Sequence, residues 1–163
     1  MRGDEEVRAA IERHADTVRR LCLVHLRSYA DTEDVFQTVF VRYAQREEPF
    51  ESPEHERAWF VRVTINACHD LQRNPFRRRT VPIDEVLEVV DPASERGAEA
   101  REVLAAVLAL PQKYRDVIYL HYYEGYSAPE IAGLTGRNVN TVYTNLTRAR
   151  GLLRDALGGE LDG

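Results

Sequence analysis

The side chains of this chain that could do chemistry fall into two groups. The first is a set of thiols and imidazoles. Cys22 and His25 stand about one helical turn apart, and Cys68 adjoins His69. Two Cys–His pairs carry the donor atoms of a tetrahedral zinc site. Neighbouring residues on a helix point about 100° apart, so Cys68 and His69 do not readily aim at one ion. The expectation is therefore buried thiols, partly exposed imidazoles and no metal. No Gly-rich phosphate loop, nucleophile elbow or carboxylate pair in a recognisable context occurs, so the reading is a protein that is not an enzyme and takes no cofactor or small-molecule substrate.

The second group is a polar face that could read bases. Residues 127–150 run SAPEIAGLTGRNVNTVYTNLTRAR. Ser127 with Glu130 three residues on forms a capping box, and Pro129 falls in a helix's first turn, where proline is tolerated. Ile131, Ala132 and Leu134 give a short apolar stripe that Gly136 ends. Asn138 is placed to cap a second helix with Val139, Val142, Leu146, Ala149 and Leu153 on one face. Two helices joined by a tight glycine turn make a helix-turn-helix. The second helix would present Asn140, Thr141, Tyr143, Thr144, Asn145 and Arg148 to the DNA major groove. An ordinary helical hairpin inside an all-α core has the same local pattern, so the preceding chain must decide.

The elements that position this face are all helical in pattern. Residues 4–28 place Val7, Ile11, Val18, Leu21, Cys22 and His25 near helical spacing. DTEDVFQTVFVRYAQ, residues 31–45, aligns Val35, Phe36, Val39, Phe40 and Tyr43, with Asp34, Gln37 and Arg42 facing elsewhere. Pro49 and Pro53 mark a loop, and a third helix over about 54–73 sets Trp59, Phe60, Val63, Ala67 and Leu71 against Arg57, Arg62, Asn66 and Arg73. Trp59 is at a position most often core, but aromatic and Arg side chains together can also stack on unpaired bases. From Asn74 the pattern dissolves into a Pro-containing stretch with the run Arg77, Arg78, Arg79, read as a linker with one short helical turn near residues 84–90. Helicity resumes near Arg101 and again over 112–124 after Leu110-Pro111. The predicted fold class is all-α: two small helical domains, 1–74 and 101–158, joined by a flexible linker, 75–100, with the helix-turn-helix in the second.

Charge limits the partners. The 163-residue chain has a formal net charge of −5, and Lys113 is its single lysine. Residues 101–163 balance seven basic against seven acidic side chains. Coating of nucleic acid by bulk electrostatics is excluded, so DNA contact must be local or shared with another protein. Two scattered cysteines suit a reducing compartment, and with no apolar signal core or membrane-length run the expected location is cytoplasmic, with no direct membrane insertion.

Three blocks in order resemble the sigma-70 family of bacterial transcription initiation factors, and most of all its small extracytoplasmic-function (ECF) group. They are DTEDVFQTVFVR at 31–42, RAWFVRVTINACHDLQR at 57–73, and LPQKYRDVIYLHYYEGYSAPEIA continuing to TVYTNLTRAR at 110–150. The resemblance implies a factor that binds core RNA polymerase through a region 2 domain (1–74) and directs it to promoters, with a region 4 domain (101–158) on the upstream element. It assigns Asp34 and Gln37, with Phe40 nearby, to the β′ clamp helices, and region 4 to the β flap. Trp59, Arg62 and Asn66 match positions near melted promoter DNA, and residues 47–53 the segment that reads an extruded base. Arg77, Arg78 and Arg79 fall where the linker threads through polymerase and are expected, with Arg137, among the DNA-contacting residues. An anti-sigma partner is implied as well.

Region 4 departs from the family pattern. Tyr143, Thr144 and Asn145 stand where Lys and Arg are usual, and Arg137 follows the turn glycine in place of an apolar residue. Fewer cations mean fewer phosphate contacts, so upstream-element binding should be weaker or differently specified. The competing reading from another class is a free-standing helix-turn-helix regulator that binds operator DNA as a dimer, with residues 1–73 as sensor or dimerisation module.

Overall fold

The computed structural model describes residues 1–73, 80–92 and 95–158. The run Arg77, Arg78, Arg79 lies outside the described residues. Among those described, eight helices and no strand occur. The chain divides into two units, Met1–Val81 and Pro82–Gly163.

The first unit holds α1 (Asp4–Leu26), α2 (Tyr29–Gln45) and α3 (Pro53–Gln72), each packed on the other two. Asp4, Glu5 and Glu6 sit at the positive end of α1, whose apolar stripe of Ala10, Val18, Leu21 and Cys22 is buried. Arg27 ends α1 in the left-handed region (φ 50°), and its guanidinium donates to the Val81 carbonyl oxygen at 3.1 and 3.3 Å. Helix α2 begins two residues before the acidic cluster suggests. Ser28 is the cap, its Oγ accepting from the Asp31 N–H, and Asp31 is buried. Ser52 caps α3 in the same manner, ahead of Pro53.

Aromatic rings fill the space between these helices. Phe60, fully buried, lies 5.3 Å from both Phe40 and Tyr43 and 5.0 Å from Trp59, centroid to centroid. Cys22 and Cys68 are buried and not joined in a disulfide, their sulfurs 4.0 Å apart where α1 meets α3. Among the described residues, no group of three or more His, Cys, Asp or Glu side chains is placed to hold a metal ion. Glu56 closes the α1–α3 seam, accepting from Arg13 at 3.0 and 3.3 Å and from His14 Nε2 at 3.0 Å, while the His14 ring stacks on Phe60 at 4.1 Å.

The second unit holds α4 (Ile83–Val90), α5 (Ala98–Leu108), α6 (Gln112–Tyr122), α7 (Ala128–Thr135) and α8 (Val139–Ala156). Helix α4 departs from the linker assignment of 75–100. Val86, Leu87 and Val90 are buried and α4 packs on α5, so this stretch is part of the unit's core. Its apolar positions are spaced for one face of a helix, which outweighs the local proline content. The capping box is present in full: Ser127 Oγ accepts from the Glu130 N–H, and Glu130 accepts from the Ser127 N–H. Gly136 ends α7 at φ 73°, a conformation that favours glycine, and Asn138 caps α8. Helix α8 packs on α5, α6 and α7 through Val142, Leu146, Ala149 and Leu153.

Leu146 is 2% exposed. Replacing it with Ala should destabilise the second unit by about 2–5 kcal/mol through the cavity left behind, measured as a shift in urea midpoint. Burial alone would raise the Glu56 pKa, but the His14 and Arg13 hydrogen bonds outweigh it and hold the carboxyl below its ordinary value. A depressed carboxyl stabilises the fold above its unfolded pKa of about 4.3, and that stability is lost as pH falls through the folded value. Urea midpoints of the first unit should therefore fall on acidification below about pH 4.3, and Glu56→Gln should flatten that dependence.

Candidate functional site

Two polar surfaces stand out, one on each unit. On the first unit, the outward side of α2 presents Asp34, Gln37, Thr38 and Arg42, all exposed. The Thr38 hydroxyl donates to the Asp34 backbone carbonyl at 3.0 Å. Asp34, Thr38 and Arg42 also line a cleft of about 210 Å³ with Asp70 and Leu71 of α3. Phe40 does not join this surface. It is 6% exposed, 4.7 Å from Phe36, and belongs to the core. Its place on the apolar stripe accounts for this burial.

Helix α3 separates its three expected DNA residues in the same way. Arg62 and Asn66 are exposed and one turn apart, so they share a face. Trp59 is 7% exposed and packed edge-on against Phe60, with Phe50 5.7 Å away. It is packed among Tyr43, Phe50 and Phe60, beside the loop before α3.

On the second unit, Lys113, Arg137, Asn140, Thr141, Thr144, Asn145 and Arg148 line an open cleft of about 570 Å³. The structure thus gathers the predicted base-reading residues of α8 except Tyr143, which is 54% exposed but not part of the cleft lining, and Asn145 within the lining is only 6% exposed. Arg137 is the exception in chemistry. Its guanidinium donates to Asp116 at 3.2 Å and to the Lys113 carbonyl at 3.0 Å, and Asp116 is fully buried. A buried carboxylate demands such a partner, so this cation braces the turn between α7 and α8 against α6. Arg150 donates to the Tyr122 hydroxyl at 2.8 Å. Arg148 is left as the cation of α8 that opens onto the cleft. The sequence reading missed Lys113, which the start of α6 brings to the cleft rim across 24 residues from Arg137. No local pattern marks it, since only packing of α6 on α8 creates that proximity.

The cleft offers directional groups more than charge. Asparagine amides can pair with adenine N6 and N7, threonine hydroxyls with any base edge, and Arg148 with guanine or a phosphate. Among the described residues, no helix is long and apolar enough to cross a membrane.

Residues 10–79 match the family model of sigma-70 region 2, and residues 100–153 match that of sigma-70 region 4. RNA polymerase sigma factor SigV of Bacillus subtilis is 29% identical over 147 residues, 90% of this chain and 88% of its own length. RNA polymerase sigma-E factor of Streptomyces coelicolor is 30% identical over 128 residues, 78% of this chain and 72% of its own. Among solved structures, CnrH in complex with the cytosolic domain of CnrY has a TM-score of 0.64 at 27% identity, covering 98% of this chain and 92% of that one. The Bartonella quintana sigma factor RpoE, in complex with the anti-sigma factor NepR, has a TM-score of 0.71 at 16% identity over 96% of this chain and 99% of that one, a likeness of fold. Both regions are present in order on an all-helical chain, and the chain belongs to the ECF group of the sigma-70 family, the RNA polymerase sigma factors that direct transcription initiation at promoters.

Proposed function

We propose that the two units divide the work of promoter selection. The first unit, Met1–Val81, docks on the clamp helices of the polymerase β′ subunit through Asp34 and Gln37. Arg62, Asn66 and the loop before α3 then hold one DNA strand with its bases turned out of the stack. Capture of unstacked bases offsets the few kcal/mol that unpairing costs, which favours strand separation. The second unit contacts the upstream element through Asn140, Thr141, Thr144, Asn145 and Arg148 and meets the β flap.

One observation carries this reading. The base-reading cleft of α8 opens onto Arg148 and Lys113, while Arg137 is engaged by Asp116. Each phosphate contact adds to affinity through counterion release, so a cleft with so few cations gives a weak grip. Recruitment must come through protein contact, and an exposed Asp34 on a chain of net charge −5 suits a basic partner surface. The same observation disfavours a free-standing regulator, which would have to hold duplex DNA by itself.

CnrH and the Bartonella factor were each solved with a partner, CnrY and the anti-sigma factor NepR respectively. A comparable inhibitor acting on this chain is part of the proposal, as is a cytoplasmic role without catalysis of its own.

In a competition assay against the unmodified protein, the double variant Asp34→Ala/Gln37→Ala should bind core polymerase at least about tenfold more weakly, a loss of roughly 1.4 kcal/mol, with unchanged thermal unfolding. Normal binding by that variant would place the docking surface elsewhere. Arg148→Ala should weaken holoenzyme binding to upstream-element DNA across sequences and lower the salt slope by about 1 if the contact is to phosphate. A loss confined to one base position would instead make Arg148 a base reader.

A further inference from the structure

Residues 46–52 connect α2 to α3 without helical structure, and ordering such a segment carries an entropic cost that contacts must offset. The contacts are specific. Arg2 Nη2 and Arg46 Nε donate to the same Glu48 carbonyl oxygen, at 2.9 and 3.1 Å. The Phe50 ring lies parallel to Tyr43 at 6.3 Å and edge-on to His55 at 5.3 Å. The Glu51 N–H donates to His55 Nδ1 at 3.0 Å. The loop backbone is thus pinned at its middle and at its exit.

Two contacts reach the loop from outside the α2–α3 segment: an exposed ion pair from the Met1 α-amino group to Glu47 at 3.7 Å, and the more extensive clamp made by Arg2. Its backbone N–H donates to the Ala44 carbonyl at 2.8 Å, and its Nε to the Tyr43 carbonyl at 3.1 Å. Its guanidinium lies 4.5 Å from the Tyr43 ring centroid and 5.5 Å from that of Phe50. Glu6 of α1 pairs with its remaining nitrogen. A cation at the negative end of α2 is favourable in itself. What sets Arg2 apart is reach: one planar fork ties α1, the last turn of α2 and the loop together, and the side chain is 12% exposed. The loop's own side chains show the converse. The backbone is held at the Glu48 carbonyl and the Glu51 N–H, while the side chains of Glu47, Glu48 and Glu51 are exposed, with Glu47 and Glu48 in surface ion pairs to the Met1 amino group and Arg46.

We propose that Arg2, acting with Arg46 on the Glu48 carbonyl, is a positioning residue for this loop and sets the geometry in which the loop meets an extruded promoter base. The inference rests on the reading of residues 47–53 as the base-reading segment. A lysine cannot replace Arg2, because a single ammonium on a flexible stem cannot span the Tyr43 and Glu48 carbonyls with the fixed fork of a guanidinium.

The test uses the full chain and its holoenzyme with core polymerase. Amide hydrogen exchange over residues 46–52 should quicken about tenfold or more in Arg2→Ala and in Arg2→Lys, with the helix cores unchanged. In transcription from a DNA pool randomised across the melted element, both variants should flatten base preference by about fivefold or more, with core binding held within about twofold. Arg2→Lys preserves charge and most of the stem, so it keeps the test decisive where Arg2→Ala unfolds. A control with Glu47, Glu48 and Glu51 all changed to Ala separates the two layers. Altered base preference in that control, with unchanged exchange and preference in the Arg2 variants, overturns the role of Arg2 and keeps the loop as reader. Unchanged preference in all of them overturns the loop reading, and this inference with it.

Discussion

A protein of net charge −5 that must engage a polyanion has few cations to deploy, and their placement governs how it works. Arg137 illustrates the constraint. It sits beside the helix-turn-helix, where an arginine invites assignment to DNA, yet its guanidinium is engaged by Asp116, which is wholly buried. Breaking such a pair costs far more than a surface contact returns. The cation therefore braces α7 and α8 on α6 and fixes the pose of the reading face. The recognition surface depends on this arginine indirectly, through orientation.

The first unit obeys the same economy with different chemistry. Its core is a cluster of aromatic rings from α2 and α3 closed by α1, and Phe40 and Trp59 both belong to it. They hold apart two polar strips, Asp34 with Gln37 on α2 and Arg62 with Asn66 on α3. Rigid helices carry both strips, so the spacing between the face proposed for polymerase and the face proposed for DNA is set by core packing.

Periodicity made the helices and the capping residues legible. Ser127, Glu130, Gly136 and Asn138 act locally, within four residues of their targets, and each does what its type and position indicate. The face of an exposed residue was legible too, which is why Asp34, Gln37, Arg62, Asn66 and Arg148 all reach the surface. Periodicity also put Phe40 and Trp59 on apolar faces, and both are buried, although the motif resemblance ties them to function. Contacts across long separations, such as Arg137 with Asp116, Arg2 with Glu48, or Lys113 at the α8 cleft, leave no periodic trace. Helix α4 was half visible, because its apolar face was masked by the prolines around it.

The central claim is that this chain acts on DNA through polymerase rather than alone. Transcription in vitro from core RNA polymerase, with and without the protein, on DNA pools carrying candidate promoters tests it most directly. The account predicts start-site-specific transcripts that appear only when the protein is added, together with negligible binding of the free protein to the same duplexes. Tight dimeric binding to duplex DNA by the protein alone, with no such transcripts, would contradict it.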